Sequence, residues 1–143
     1  MRTPLAALFC LLLTRTPALA GNRPPSIVLT AQENGTVPQT EFYCSGKIKG
    51  YIRLSERQEG NHVLEGIWTL PSGRVLRHSR DPVNFPPPGR STAYVWFAFP
   101  DKPALLLSPD TNVERPSYPG IWRLQVRWDE KPLLSSTFTV HCQ

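Results

Sequence analysis

After its first residue this 143-residue chain contains no methionine, and it holds only three cysteines and three histidines. The missing methionine excludes the methionine-rich copper sites of some exported proteins. His62, His78 and His141 never recur at two-, three- or four-residue spacing, so no metal motif is present. There is no Gly-x-Ser-x-Gly turn to present a nucleophilic serine. Charged residues make up 19%, and the net charge of +5 is not gathered into one basic run, which gives no case for nucleic acid. The apolar run Leu5 to Leu13 has nine residues, against the ~20 that a bilayer span needs, and no other stretch could span, so no stable membrane insertion is expected.

What is present at the start is a three-part export signal. Met1-Arg2 is a short positive beginning, Leu5 to Leu13 is the apolar centre, and Ala18-Leu19-Ala20 is a small-x-small cleavage signature before Gly21. Lipid attachment at Cys10 would require small residues before it, and Leu8-Phe9 are large. The reading is therefore a signal peptide over 1–20 and a single domain over 21–143, exported to the periplasm or secreted. Losing Arg2 and Arg15 lowers the net charge from +5 to +3. It also leaves two cysteines, Cys44 and Cys142, an even count in a compartment that permits disulfides. The alternative is a pair of separate buried thiols.

The main pattern is alternation with period two, which marks strands with one buried face. Phe42, Cys44, Gly46, Ile48, Gly50, Ile52 and Leu54 alternate with Tyr43, Ser45, Lys47, Lys49, Tyr51, Arg53 and Ser55. One long strand over 42–54 is expected, with Tyr43, Lys47, Lys49, Tyr51 and Arg53 on its wet side. The phase returns in Trp122, Leu124, Val126 and Trp128, and again in Leu134, Ser136, Phe138, Val140 and Cys142. Between them Asp129-Glu130-Lys131-Pro132 has turn composition, predicting an antiparallel hairpin. Both cysteines fall on the dry phase. Two strands running in opposite directions would bring the start of one to the end of the other and close a Cys44–Cys142 bond.

The middle adds a hairpin, with Val63 to Leu70 turning through Pro71-Ser72-Gly73 into Arg74 to Ser79. Ser91 to Phe99 is apolar on both phases, as in a central or covered strand, and Ile27 to Ala31 opens the domain. Arg80 to Arg90, with Pro82 and Pro86-Pro87-Pro88, reads as extended polyproline between strands. Pro100 to Gly120, with five prolines, reads as a long loop in which Ala104 to Leu107 forms a flap or added edge strand. About seven strands without helices predict an all-β fold of two packed antiparallel sheets, a β-sandwich with one disulfide. An up-and-down barrel is the alternative.

Trp68-x-x-Pro71-x-Gly73-x-Val75, Tyr94-Val95-Trp96, Pro119-Gly120-Ile121-Trp122-Arg123-Leu124-x-Val126 and Phe138-x-Val140 follow one another in order. This sequence resembles the immunoglobulin-like or fibronectin-like β-sandwich domains of exported bacterial proteins. The resemblance runs from about Cys44 onward and implies that Pro119-Gly120 turns the chain and Trp122 fills the core. It carries a fold and no activity.

For function, no catalytic residue, metal or cofactor is assigned, and the carboxylates sit mainly at strand ends and turns. The expectation is a non-catalytic binding module of the cell envelope. A protein partner is the first reading and a carbohydrate the second. Candidate binding residues are Tyr43, Lys47, Lys49, Tyr51 and Arg53, with Tyr118 in a proline-rich loop, because exposed aromatic rings beside cations supply contact area.

Overall fold

The computed structural model of the chain describes residues 23–33, 37–100 and 118–142, which contain strands and turns and no helix. The expected signal peptide over 1–20, the Ala104–Leu107 flap and nearly all of the expected 100–120 loop lie outside the described residues.

Six strands follow in order: β1 (Ser26–Thr30), β2 (Glu41–Tyr43), β3 (Lys47–Thr69), β4 (Val75–Ala98), β5 (Gly120–Trp128) and β6 (Lys131–His141). All join one hydrogen-bonded sheet that curls around the core. Its spine is the β3–β4 hairpin. Leu70 and Arg74 close the turn between them, with the Leu70 N–H donating to the Arg74 carbonyl at 2.9 Å.

The two halves of this ribbon have different neighbours. The first half of β3 pairs with β1, from Thr30↔Lys49 to Ser26↔Arg53, and with the second half of β4, from Lys47↔Ala98 to Arg53↔Thr92. The second half of β3 pairs with the first half of β4 and with β5, from Leu64↔Trp128 to Thr69↔Arg123. From β5 the sheet continues to β6 and then to β2. The ribbon bends where its register shifts, between Arg53 and Gly60. Gly89 lies opposite that bend with φ at +83°, and a Cβ there would overlap the Gln58 carbonyl, so only glycine fits.

Even positions of β3 face inward on either side of the bend: Ile48, Ile52 and Leu54 before it, Leu64 and Trp68 after it. They meet Phe97 and Phe99, Trp122, Leu124 and Val126 of β5, and Phe138 and Val140 of β6 in one buried cluster. The expected alternation in 120–128 and 134–142 and the expected hairpin between them are present, with Asp129 and Glu130 both at positive φ in the turn.

Four expectations change. The strand expected over 42–54 is two strands, because Cys44-Ser45-Gly46 turns the chain with Gly46 at φ +70°. The turn preserves the even-odd phase, which hides it from periodicity. Cys44 and Cys142 are bonded, with Cα atoms 5.0 Å apart. They are not brought together by opposed strands, however: β2 runs parallel to β6, with Tyr43↔His141 in register just before the two cysteines. Arg80 to Arg90 is not a separate polyproline segment but lies within β4. Proline is tolerated there because, among the described residues, β4 pairs on one side only, so a missing N–H need not break a ladder. Finally, Tyr118 is half-buried against the core instead of exposed. Among the described residues no helix is long and apolar enough to cross a membrane.

Candidate binding face

Strand pairing assembles a face that the linear pattern shows only in part. Lys47, Lys49, Tyr51 and Arg53 point outward from β3. Register places Tyr94 of β4 beside Tyr51 and Trp96 beside Lys49. The two tyrosine rings lie 6.4 Å apart. Tyr94 and Trp96 are both exposed, at 61% and 40%, unlike the neighbouring Val95 and Phe97, which fill the core. Two cations reach the Trp96 ring: Lys47 Nζ at 5.5 Å and Arg77 Cζ, from the first half of β4, at 4.8 Å from its centroid. Such contacts hold flexible cations over a flat surface. None of Lys47, Lys49, Arg53 and Arg77 forms an ion pair among the described residues. Lys49 and Tyr51 are half-buried and both donate to the Glu33 carbonyl, at 3.5 and 3.0 Å.

Of the other candidates, Tyr43 is exposed but belongs to β2, where its ring lies 6.0 Å from His141. It is therefore in the other half of the curled sheet from Lys47, Lys49, Tyr51 and Arg53, and the expected single stripe of five does not form. Tyr118 stacks on Trp122 at 6.0 Å and meets Phe99 edge-on at 6.1 Å. Burial raises its phenol above the ordinary tyrosine range, which fits a packing role. Cys44 and Cys142 serve as the structural link.

Beside this face, between the two halves of β4, lies a cleft of about 340 Å³. Arg77, Ser79, Asp81, Val83 and Phe85 form one wall, and Arg90 with Thr92 to Trp96 the other. Sequence reading missed Arg77, Arg90 and Tyr94 because the bend in the ribbon, which brings the two halves of β4 face to face, has no local signature.

A second polar cluster lies on the outside of the other half of the sheet. Glu65 is only 1% exposed although it points outward from β3. His78 Nε2 donates to its Oε2 at 2.7 Å, and Arg80 and Arg127 approach at 3.5 and 3.6 Å. The His78 hydrogen bond holds this carboxyl below its ordinary value, aided by Arg127 and Arg80 and opposed by burial. Arg80 also pairs with Glu130 at 2.7 Å. The pairings tie β4, β3 and β5 together, although Glu65 Oε1 itself finds no hydrogen-bond donor among the described residues. Among the described residues no group of three or more His, Cys, Asp and Glu could hold a metal ion.

His62 is placed in a third way. Its Nδ1 lies 2.7 Å from Asp129 Oδ2 and its Nε2 lies 2.8 Å from the Glu59 carbonyl, while the ring stacks on Trp128 at 4.8 Å. Both partners accept only, so both ring nitrogens must donate, which requires the imidazolium. The Asp129 hydrogen bond accordingly raises His62 above its ordinary value and His62 lowers Asp129. A raised histidine stabilises the fold fully below its unfolded value near 6.5, and that contribution is lost as pH rises through the folded value. The Asp129 contribution is present above about 3.8 and is lost as pH falls through its depressed folded value. The melting temperature is thus expected to decline from pH 6 to pH 9, and His62→Gln should flatten that decline. Parallel profiles for parent and variant would show that the pair contributes nothing.

No protein-family profile matches the chain, and no curated protein matches it in sequence. Several solved structures share a distant similarity in shape. The alkylpurine DNA glycosylase AlkC of Pseudomonas fluorescens, bound to DNA containing an abasic site analogue, aligns with 82% of this chain at a TM-score of 0.47 and 10% identity. A β-glucosidase of Listeria innocua aligns with 83% at 0.46 and 12% identity. A CARDB domain from Pyrococcus furiosus, in complex with di-metal ions, aligns with 83% at 0.40 and 9% identity, over 87% of its own length. This chain spans only 30% of the glycosylase and 16% of the glucosidase.

Proposed function

We propose that the chain is an exported, non-catalytic interaction module of the cell envelope, and that it binds a protein through the face built from Lys47, Lys49, Tyr51, Arg53, Tyr94 and Trp96. The observation that carries this reading is the pair of exposed rings, Tyr94 and Trp96, set among cations that form no ion pair among the described residues, on a strand whose alternate residues fill the core. Aromatic rings beside arginine are the usual energetic centres of protein interfaces. The cations would steer an acidic partner and set its orientation. Export follows from the amino-terminal pattern over 1–20 and accords with the disulfide. The exchange of β1 for β5 beside β3 supports treating the curled sheet as the two layers of an immunoglobulin-like sandwich, with the bend in the β3–β4 ribbon as the crossing between layers.

The test is capture from envelope extract by the full chain recovered after export, with and without prior glycan digestion. One or two proteins should be retained whether or not glycans are digested. They should be lost with a Lys47→Glu, Arg53→Glu, Tyr94→Ala variant that melts with the parent. Retention that disappears with the glycan would replace the protein reading by a carbohydrate-binding one. Equal retention by variant and parent would remove this face from the function.

A further inference from the structure

The cleft between the halves of β4 has two walls of different kind. Five successive residues, Thr92 to Trp96, line one wall. Successive side chains of a strand point to opposite faces, so five in a row can line one cleft only if it runs along the strand's edge, where main-chain N–H and C=O groups point. The other wall takes alternate residues, Arg77, Ser79, Asp81, Val83 and Phe85, and is therefore one side-chain face of a strand. Among the described residues β4 pairs with β3 alone, so this edge carries no partner strand there. An unpartnered edge beside a face of alternate side chains is the arrangement that accepts an added strand: the edge supplies main-chain hydrogen bonds and the face reads alternate side chains.

The charges select the occupant. Arg77 and Arg90 line the cleft, and neither is ion-paired among the described residues; Lys47 stands at its rim over Trp96. Asp81 shares the wall with Arg77, four residues further on. A polyanion would meet Asp81 unfavourably, whereas an extended peptide can place one acidic side chain at an arginine and a neutral or donor residue near Asp81. Val83, Phe85 and Tyr94 give its apolar residues a surface. The volume of about 340 Å³ is at the small end of ligand pockets, which run from roughly 300 to 1,000 Å³.

We infer that this cleft binds an extended segment of a partner protein as an added β-strand along Thr92–Trp96, with an acidic side chain of that segment held by Arg77 or Arg90. The inference rests on the protein-binding reading above and gives that partner its chemistry.

A random-dodecamer peptide display library, selected on the full chain recovered after export, tests it. Selected peptides should be enriched in isolated Asp or Glu among apolar residues. The best of them should shift the amide resonances of Thr92 to Trp96. Arg77→Glu with Arg90→Glu, both at exposed positions and so expected to leave the melting temperature unchanged, should weaken that peptide at least about tenfold. Absence of binders, binders without acidic bias, undisturbed 92–96 amides or equal binding by the double variant would each overturn the assignment. A sulfated oligosaccharide that shifted the same amides more tightly than any peptide would also overturn it. If the cleft fails while the envelope partner is still lost with the Lys47→Glu, Arg53→Glu, Tyr94→Ala variant, the interaction module stands without this peptide site. If capture is also indifferent to that variant, both readings fall.

Discussion

Trp122→Ala is expected to cost about 3–5 kcal/mol of folding stability, in the range of large aromatic truncations in cores. At ~4 °C per kcal/mol for a domain of this size, the melting temperature should fall by ~12–20 °C. Trp122 is fully buried and meets Phe97, Phe99, Tyr118 and Phe138 at centroid distances of 5.3, 5.7, 6.0 and 5.8 Å. It therefore joins strands from both halves of the curled sheet, and no single neighbour can move in to fill the cavity. Its Nε1–H also donates to the Tyr118 carbonyl at 2.7 Å, tying the residues that precede β5 to the core.

Trp68 sharpens the comparison. It is equally buried, but its Nε1–H finds no acceptor among the described residues. Trp68→Phe removes a buried donor that makes no bond, which offsets part of the volume lost. Trp122→Phe removes a donor that is satisfied and leaves the Tyr118 carbonyl without it. The second substitution should be the more destabilising by about 1 kcal/mol. Equal losses in chemical denaturation would mean that the Tyr118 bond contributes nothing.

Removing the disulfide should be nearly as costly as Trp122→Ala. Cys44 and Cys142 are 98 residues apart, so the bond closes a loop around most of the domain. The loop-closure entropy has a ceiling near ~4–5 kcal/mol, and about 2–4 kcal/mol is the usual measured effect. Cys44→Ser with Cys142→Ser should lower the melting temperature by ~8–16 °C. Reductant should bring the parent to the same value and leave the variant unmoved. The loss should be concentrated at β2, a three-residue strand whose ladder, among the described residues, is to β6 alone. Hydrogen exchange at Phe42 and Tyr43 should accelerate before exchange in β5. A parent that melts alike with and without reductant would contradict a stabilising bond.

How legible the site was depends on whether its residues share a strand. Lys47, Lys49, Tyr51 and Arg53 lie on one strand, and their outward phase is visible in the sequence. Trp96 was ambiguous there, because 93–99 is apolar on both phases and nothing local says which phase is wet. Only the pairing with Lys49 and Tyr51 turns Tyr94 and Trp96 outward onto the same face. Arg77 comes from a segment about twenty residues earlier, and it reaches Trp96 because the ribbon bends. Arg80 to Arg90 belongs to β4, although its prolines read in sequence as an interruption. Glu65 was invisible as a buried charge: in sequence it is one polar residue on an outward phase, and its burial arises from side chains on β4 and β5.

By itself the sequence determined the all-β class, the inward and outward phase of most strands, the two hairpin turns and the two bonded cysteines. Each of these depends on alternation, turn residues or parity over a few neighbouring positions. Tertiary structure alone decided that β2 runs parallel to β6, that β3 and β4 stay paired through the bend while β3 exchanges β1 for β5 there, and that Tyr43 and Tyr118 leave the binding face while Tyr94, Trp96 and Arg77 join it. Those outcomes depend on which strand edges meet. The hydrogen bonds and ring contacts that settle it join residues dozens of positions apart, through main-chain groups that are alike in every residue type except proline.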